Sequence, residues 1–341
     1  MPDLKASCRV GHFVCAPIST MTDPSVSVKA RSLEYLFEMM HHGRHSFDDF
    51  LRLPVDKHFQ RVDWRTRTIY KPSKTLRAFH SFLNVFVLGY LPVNERVCFA
   101  YRKGATLTDA VAVHAESRAF FQTDLAKFFD SITSQMVHDA LARASTPAED
   151  LPQFIDRIVE LTTIDERLAI GFSTSPLLSN SCLIAFDNML EDVCRDRQLI
   201  YSRYADDIVV SGQSPDKLDG IERLIAQLLD KALGPTFQIN TAKSRMLRVG
   251  RKVKILGLNI LPSGRITVDR EIRDKVETQL HFYLTDRARL MRIIDAEPDE
   301  ALQKLSGYIG HIHSADPLYL EKLRRKFGAT VIDSFLHRSA Q

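Results

Sequence analysis

The 341-residue chain reads as an α+β protein built around a short antiparallel sheet. Three observations predict this. Apolar residues recur at three- and four-residue spacing over 30–55 and 73–91, the period of an amphipathic helix. In the middle of the chain, signals for strand, helix, helix, hairpin, helix and strand follow one another, an order that fits α+β and not a βαβ dinucleotide fold. Neither G-x-G-x-x-G nor G-x-x-x-x-G-K-[ST] occurs.

Each element has its own signal. SRAFFQTDL (117–125) predicts a short buried strand, and 134–145 and 151–164 predict two amphipathic helices. Ser175-Pro176 opens a helix over 177–197, because proline is tolerated in a first turn. LIYSRY (199–204) alternates apolar and polar residues, and IVVSG (208–212) is β-branched and stops at Gly212, so the two predict strands joined at Ala205-Asp206. A helix is expected over 214–233. Strands are expected at 237–240 and 252–268, the latter turning at Pro262-Ser263-Gly264. Helices follow from 269, with breaks near Pro298 and at 313–317.

With 45% hydrophobic and 26% charged residues, the composition is globular, enough for one large or two to three small lobes. The first twenty residues lack a long apolar core, so neither a signal peptide nor a membrane helix is expected and the reading is cytoplasmic, with no membrane partner. The five cysteines (Cys8, Cys15, Cys98, Cys182, Cys194) are odd in number and form no C-x-x-C pair, which argues against a zinc site or disulfide framework. The net charge of +4 decides little, but its distribution is uneven. Residues 57–77 carry seven Lys/Arg against one acid, and 241–254 carry six and no acid. Such stretches read as solvated basic faces or, with Phe, Trp and Tyr interleaved in the first, as contacts for a phosphate backbone.

Asp206 and Asp207 stand side by side at the foot of an apolar strand. Adjacent carboxylates repel. One reading is a solvated hairpin tip, since aspartate is a common turn former. The other is a divalent-metal site, where the cation cancels the repulsion. Asp124, 82 residues upstream of Asp206, ends the apolar run of 117–125. It reads either as a helix N-cap, a role that Asp130-Ser131 fits better, or as a third carboxylate brought beside the hairpin. Three converging acids could hold two ions about 4 Å apart for phosphoryl transfer.

The order Asp124 with Phe128-Phe129, Thr174-Ser175-Pro176-Leu177-Leu178-Ser179-Asn180, Arg203-Tyr204-Ala205-Asp206-Asp207, Asn240-Thr241-Ala242-Lys243 and Leu256-Gly257-Leu258 resembles reverse transcriptases, and more narrowly the bacterial retron-type enzymes. The likeness extends upstream through 67–80 and 89–107 and downstream through 305–323, and covers about residues 30–325. Tyr-Ala-Asp-Asp alone is short; with its companions in this order it is specific.

The resemblance implies a right-hand polymerase. N-terminal helices and fingers would occupy 1–115, an antiparallel palm with packed helices 116–262 (138–172 partly fingers), and a helical thumb 263–341. Asp124, Asp206 and Asp207 would hold two Mg²⁺, with Mn²⁺ as a substitute. Lys243 would protonate or neutralise the leaving pyrophosphate; its other reading is a surface lysine. Arg67 would bind the incoming triphosphate. Phe129 would exclude a 2′-hydroxyl, its other reading being core packing, and Leu125, Ile170, Gly171 and Tyr204 would complete the nucleotide pocket. Ser175 and Pro176 would line the template, Leu256 and Gly257 would form the primer grip, and Arg245, Arg248, Arg251 and Lys252 would contact nucleic acid. The implied partners are dNTPs, a structured non-coding RNA, a DNA primer or product, and an effector or second polymerase subunit.

The chain also departs from the pattern. The family's Pro-Gln-Gly is Ala169-Ile170-Gly171 here, Phe172 replaces a small residue, His114 lacks the Asn-Ala-x-x-His context, and Val-Thr-Gly is Ile255-Leu256-Gly257. No maturase, endonuclease or RNase H segment is expected to follow. The implied activity is RNA-directed DNA synthesis in anti-phage defence. The alternatives are non-templated or protein-primed synthesis by a specialised defence enzyme, and a catalytically silent RNA-binding scaffold.

Overall fold

The computed structural model describes residues 30–65, 67–248, 250 and 253–339. The described residues up to Thr267 form one compact unit, and those from Val268 form another.

The first unit begins with α1 (Leu33–His41) and α2 (Phe47–Arg52), whose first turns are capped by the Ser32 and Ser46 hydroxyls. A two-stranded ribbon follows, β1 (Phe59–Trp64) and β2 (Arg67–Pro72), and then α3 (Lys74–Phe86), capped by Ser73. The Phe37, Phe50, Phe79 and Phe82 rings of α1, α2 and α3 meet with centroids 5.1 to 5.9 Å apart. Tilted and edge contacts of this kind add to simple burial.

Next come α4 (Leu107–Ala112), closed by a Thr106/Asp109 capping box, and β3 (Ala119–Asp124). They are followed by α5 (Phe128–Ser131), α6 (Ser134–Ala142), α7 (Ile155–Thr162) and the short pair β4 (Thr163–Ile164) and β5 (Arg167–Leu168). Helices α8 (Ser175–Cys182) and α9 (Ile184–Asp196) lead into the hairpin of β6 (Ile200–Tyr204) and β7 (Asp207–Gly212). After α10 (Ile221–Leu233) come β8 (Arg245–Arg248), β9 (Val253–Ile255) and β10 (Leu258–Ile260), and the unit ends within β11 (Ile266–Val268).

The central sheet has the order β6-β7-β3-β8, with antiparallel neighbours. Side chains alternate between its faces. Asp124, Gln122 and Phe120 share one face with Asp207, Val209 and Ser211, while Phe121 shares the other with Ile208, Val210, Arg203 and Tyr201. On that second face, Asp187 of α9 bonds Tyr201 and Arg203. On the first, away from the aspartates, the buried His114 ring lies between the Ser202 and Ser211 hydroxyls.

The α+β class and the central hairpin are as the sequence predicts; several bounds are not. The helix expected over 177–197 breaks at Leu183, just after the buried polar run Ser179-Asn180-Ser181. There the Ser179 hydroxyl donates to the Pro176 carbonyl, a competing bond of the kind that bends helices. The helix expected over 214–233 starts as a 3₁₀ turn at Pro215–Leu218 and becomes α10 only after Gly220, whose φ is +72°. Residues 151–154 are likewise a 3₁₀ turn before α7. The segment 237–240 is not a strand: Ile239 makes an isolated bridge to Leu125, and the turn of Asn240 and Lys243 ends the pairing at once. Strands β1, β2, β4, β5 and β8 were hidden in polar, basic sequence without clean alternation. The bridge between β9 and β10 is a second turn at Leu256-Gly257, both with positive φ, as a two-residue hairpin of the primed kind requires.

The second unit comprises α11 (Arg270–Thr285), α12 (Arg287–Ile294), α13 (Pro298–Ala315), α14 (Pro317–Phe327) and α15 (Ala329–Ser339). Asp316 caps α14 through Tyr319 N and pairs with Arg273, whose guanidinium lies 4.6 Å from the Tyr319 ring centre. The predicted breaks near Pro298 and 313–317 are present, and Asp286 and Gly328 add two more. No described helix is long and apolar enough to cross a membrane.

Candidate active site

The backbone brings three aspartates to one end of the central sheet. Asp124 is the last residue of β3 and Asp207 the first of β7, and the two are register partners. Side chains directly opposite in such a pair lie about 5 Å apart, and like charges there are destabilising. Asp206 occupies the two-residue tip between β6 and β7, preceded by Ala205 at φ +57°. Leu125 N donates to the Asp206 carbonyl at 2.9 Å, and Asn240 N to the Asp124 carbonyl at 2.7 Å, so backbone bonds tie the β3 end to the tip and to the 240–243 turn.

The electrostatics are those of a crowded anionic site. Asp124 is 5% exposed, and its Oδ1 is buried without a hydrogen-bond partner. Its Oδ2 accepts from the Lys243 ammonium. Burial raises the Asp206 proton affinity, its own backbone N–H opposes this, Asp124 raises it further, and Lys243 and Arg67 pull it back down. Arg67, at the start of β2, is near enough for its charge to be felt at Asp206. Tyr204, opposite Asp207 on β6, is half-buried, and burial raises its phenol. Among the described residues, no three Asp, Glu, His or Cys side chains are gathered closely enough to ligate an ion. The donor set nonetheless fits a hard cation: one Asp124 oxygen is buried without a partner, the other is neutralised by an ammonium, and the neighbouring Asp206 is disfavoured as an anion.

The remaining predicted residues fall into two groups. Leu125 is buried, Phe129 is half-buried against Phe128 with ring centroids 5.1 Å apart, and Ile170 is half-buried. The Ile170 carbonyl accepts from Tyr70 N of β2 at 2.7 Å, which joins the ribbon to the 169–172 loop. Gly171, at φ +104°, lets this happen: a Cβ there would sit 2.5 Å from the Tyr70 carbonyl oxygen. Gly171→Ala should therefore cost about 1–3 kcal/mol, read from denaturant unfolding, through strain and overpacking together. An unchanged midpoint would show that the ribbon does not depend on this approach.

The other group is spread over the 172–176 turn, β8 and the β9–β10 tip. Ser175 is buried and its hydroxyl donates to the Ala169 carbonyl at 2.6 Å, so it shapes the turn while Pro176 stays partly exposed. Phe172, which the sequence sets where base pair and sugar are checked, is 2% exposed and packs against His80, Phe59 and Tyr70. Arg245 and Arg248 are exposed on the edge strand β8, and Leu256-Gly257 forms the β9–β10 tip. Arg251 and Lys252 lie outside the described residues.

The sequence reading passed over one group that the structure places next to the tip. Asp187, Arg203 and Tyr201 form a buried network behind Asp206. The signal was present, because Leu183, Asp187, Leu190 and Cys194 form one buried helical stripe, and an aspartate on such a stripe demands a partner.

A family model for reverse transcriptases (RNA-dependent DNA polymerases) matches residues 57–260. The chain is similar to the retron Ec73 reverse transcriptase of Escherichia coli, with 32% identity over 276 residues, 76% of this chain and 83% of that protein. It is 24% identical to the retron Ec83 reverse transcriptase of Escherichia coli over 84% of this chain and 93% of the relative. It is 25% identical to the retron Mx65 reverse transcriptase of Myxococcus xanthus over 76% of this chain and 61% of the relative.

Proposed function

Because the chain belongs to the reverse transcriptase family, as a retron-type RNA-directed DNA polymerase, we propose that its carboxylate cluster extends a DNA or RNA primer with dNTPs on a dedicated structured RNA. The observation that carries this reading is the register of Asp124 against Asp207 with Asp206 at the adjoining tip. Asp124, Asp206 and Asp207 are the residues that would hold two Mg²⁺, or Mn²⁺ in their place. Bound there, such ions lower the proton affinity of a primer 3′-hydroxyl and neutralise charge on the phosphates.

The chain's own groups do the rest. The primer 3′-oxygen forms a bond to the α-phosphorus, the bond to pyrophosphate breaks, and the hydroxyl proton is lost. Little is needed beyond positioning and charge. Arg67 suits the triphosphate, since its planar guanidinium donates two parallel bonds to phosphate oxygens. Lys243 neutralises Asp124 and would face the leaving pyrophosphate. Phe129 is half-buried, with part of its ring free to close against a 2′-hydroxyl; Leu125, Ile170, Gly171 and Tyr204 border the same nucleotide. Pro176, with Ser175 shaping its turn, guides the template. Leu256-Gly257 presents the primer grip, and Arg245 and Arg248 contact the phosphate backbone. The division into fingers (1–115), palm (116–262) and thumb (263–341) belongs to this reading, as do a cytoplasmic role in anti-phage defence and an effector or second subunit.

Ile170 favours a second reading. A hydrocarbon in place of an amide removes a donor and acceptor from the nucleotide pocket, which suits non-templated or protein-primed synthesis. Phe172 lends it no support, being part of the core. Labelled dNTP incorporation with Mg²⁺ separates the two. Template-length DNA on a primed heteropolymeric RNA or on the co-purified RNA, lost with chelator, is the expected result. Product made without template would favour the second reading, and no product under any condition would overturn both. In the same assay, Phe129→Val should raise ribonucleotide incorporation about tenfold or more relative to dNTP. Unchanged discrimination would assign Phe129 to packing.

A further inference from the structure

We propose that Arg203 and Asp187 are positioning residues that fix the direction of the Asp206 carboxylate through the peptide between Ala205 and Asp206. The inference rests on the polymerase reading above.

Arg203 is the largest fully buried side chain among the described residues, and its partner Asp187 is equally buried. The Asp187 carboxylate accepts from Arg203 Nε at 2.8 Å, from Arg203 Nη2 at 2.6 Å and from the Tyr201 hydroxyl at 2.7 Å. The Arg203 backbone is held as well: its N–H donates to Val97 at 2.7 Å, and its carbonyl accepts from Phe99 N at 3.0 Å. The guanidinium is thus fixed from α9 and from the 97–99 segment before its last nitrogen is considered.

That nitrogen, Nη1, donates to the Ala205 carbonyl at 3.1 Å and to Asn180 Oδ1 at 3.3 Å. Asn180 is itself fixed by donating to the Ala100 carbonyl at 2.7 Å. The carbonyl of Ala205 and the N–H of Asp206 belong to one planar peptide. Its oxygen is bonded to Arg203, and its far end is the Asp206 Cα, which carries the carboxylate. A rotation of that plane would turn both together. The plane also needs holding, because Ala205 sits at φ +57°, where an L-residue is uphill by about 1–2 kcal/mol.

Stability alone gives little reason for such a network. A buried ion pair replaced by apolar residues of like volume is often neutral or better, whereas removal of one partner is strongly destabilising. This asymmetry supplies the test. The double variant Arg203→Met/Asp187→Leu removes both charges and keeps the volume, but nothing then holds the Ala205 carbonyl. It should unfold within a few degrees of wild type. Its kcat for dNTP incorporation should fall about 10- to 100-fold with dNTP KM unchanged. Mn²⁺ affinity, read from the paramagnetic resonance of free Mn²⁺, should weaken about tenfold.

Arg203→Lys is the second arm, since one ammonium pairs Asp187 without reaching the carbonyl. It should show the same kcat loss and decides the matter if the double variant does not fold. Wild-type kcat and Mn²⁺ affinity in a folded variant would overturn the proposal. Should the wild-type protein itself make no DNA, the polymerase reading fails, and the Mn²⁺ titration still decides the clamp.

Discussion

Replacing Asp206 and Asp207 together by asparagine should abolish dNTP incorporation, by about a thousandfold or more, while the protein stays folded. The loss follows if these oxygens carry the charge that binds and orients the reacting phosphates, since three decades of rate correspond to about 4 kcal/mol of barrier. Stability should move the other way for the single change Asp206→Asn. Burial disfavours the Asp206 anion and the Asp124 charge adds to this. A carboxyl whose proton affinity is raised on folding costs stability at every pH where it is ionised. An amide in its place removes that cost, so Asp206→Asn should melt a few degrees higher at pH 7.5. Incorporation assays and thermal unfolding on the same preparations check both halves. Retained synthesis in the double variant would remove the carboxylates from the mechanism. A lower melting temperature for Asp206→Asn would show that the local cations outweigh the repulsion.

Acid should unfold the protein early. His114 is buried between two serine hydroxyls, at 2.6 Å from Ser211 Oγ and 2.7 Å from Ser202 Oγ, and burial pushes its pKa down to about 3. His80 is buried beneath Phe172, with Nε2 2.8 Å from the Leu161 carbonyl, and burial pushes its pKa down to about 4. Both values lie below the unfolded value of about 6.5. Between the two limits the unfolded chain binds more protons, so stability is complete above about pH 6.5 and is lost as the pH falls. Each histidine costs about 1.4 kcal/mol per pH unit, so at pH 5 the pair together removes about 4 kcal/mol. That is a large part of a typical 5–15 kcal/mol. Denaturant titrations at pH 7.5 and 5.0 measure it, and His114→Asn should take away about half of the slope. Equal stability at both values would mean that the two rings are protonated without cost.

What could be read from the chain followed the strength of local signals. Alternation and β-branching placed the β6–β7 hairpin, and the apolar run ending at Asp124 placed β3; that β3 pairs with β7, Asp124 opposite Asp207, came only from the coordinates. The β1–β2 ribbon was not, because it is exposed on most of its length and has no apolar face to betray its period. The Ile239 segment failed for the opposite reason: FQIN has strand character, but the turn after it leaves room for one bridge. Phe172 and Ser175 were assigned by position in a motif, and burial moved both inward. Arg203 shows the limit of a linear reading. Its neighbours Tyr204 to Asp207 drew the attention, while its partners come from 97–99, 180 and 187, distances at which no local periodicity speaks.

The ribbon has a consequence for time as well as for shape. Two strands with little core of their own are marginal in water. β1 is exposed along nearly its whole length, with Trp64 57% exposed at the tip. The ribbon's ties to the rest of its unit include the Tyr70–Ile170 backbone bond and the exposed Arg61–Asp165 ion pair at 2.9 Å. Regions so tied open at a small fraction of the global unfolding free energy. Arg67, at the start of β2, thus sits on a part of the unit that opens many times within the lifetime of one folded molecule. The aspartates stand on the separate central sheet, whose tip is tied to the buried Arg203.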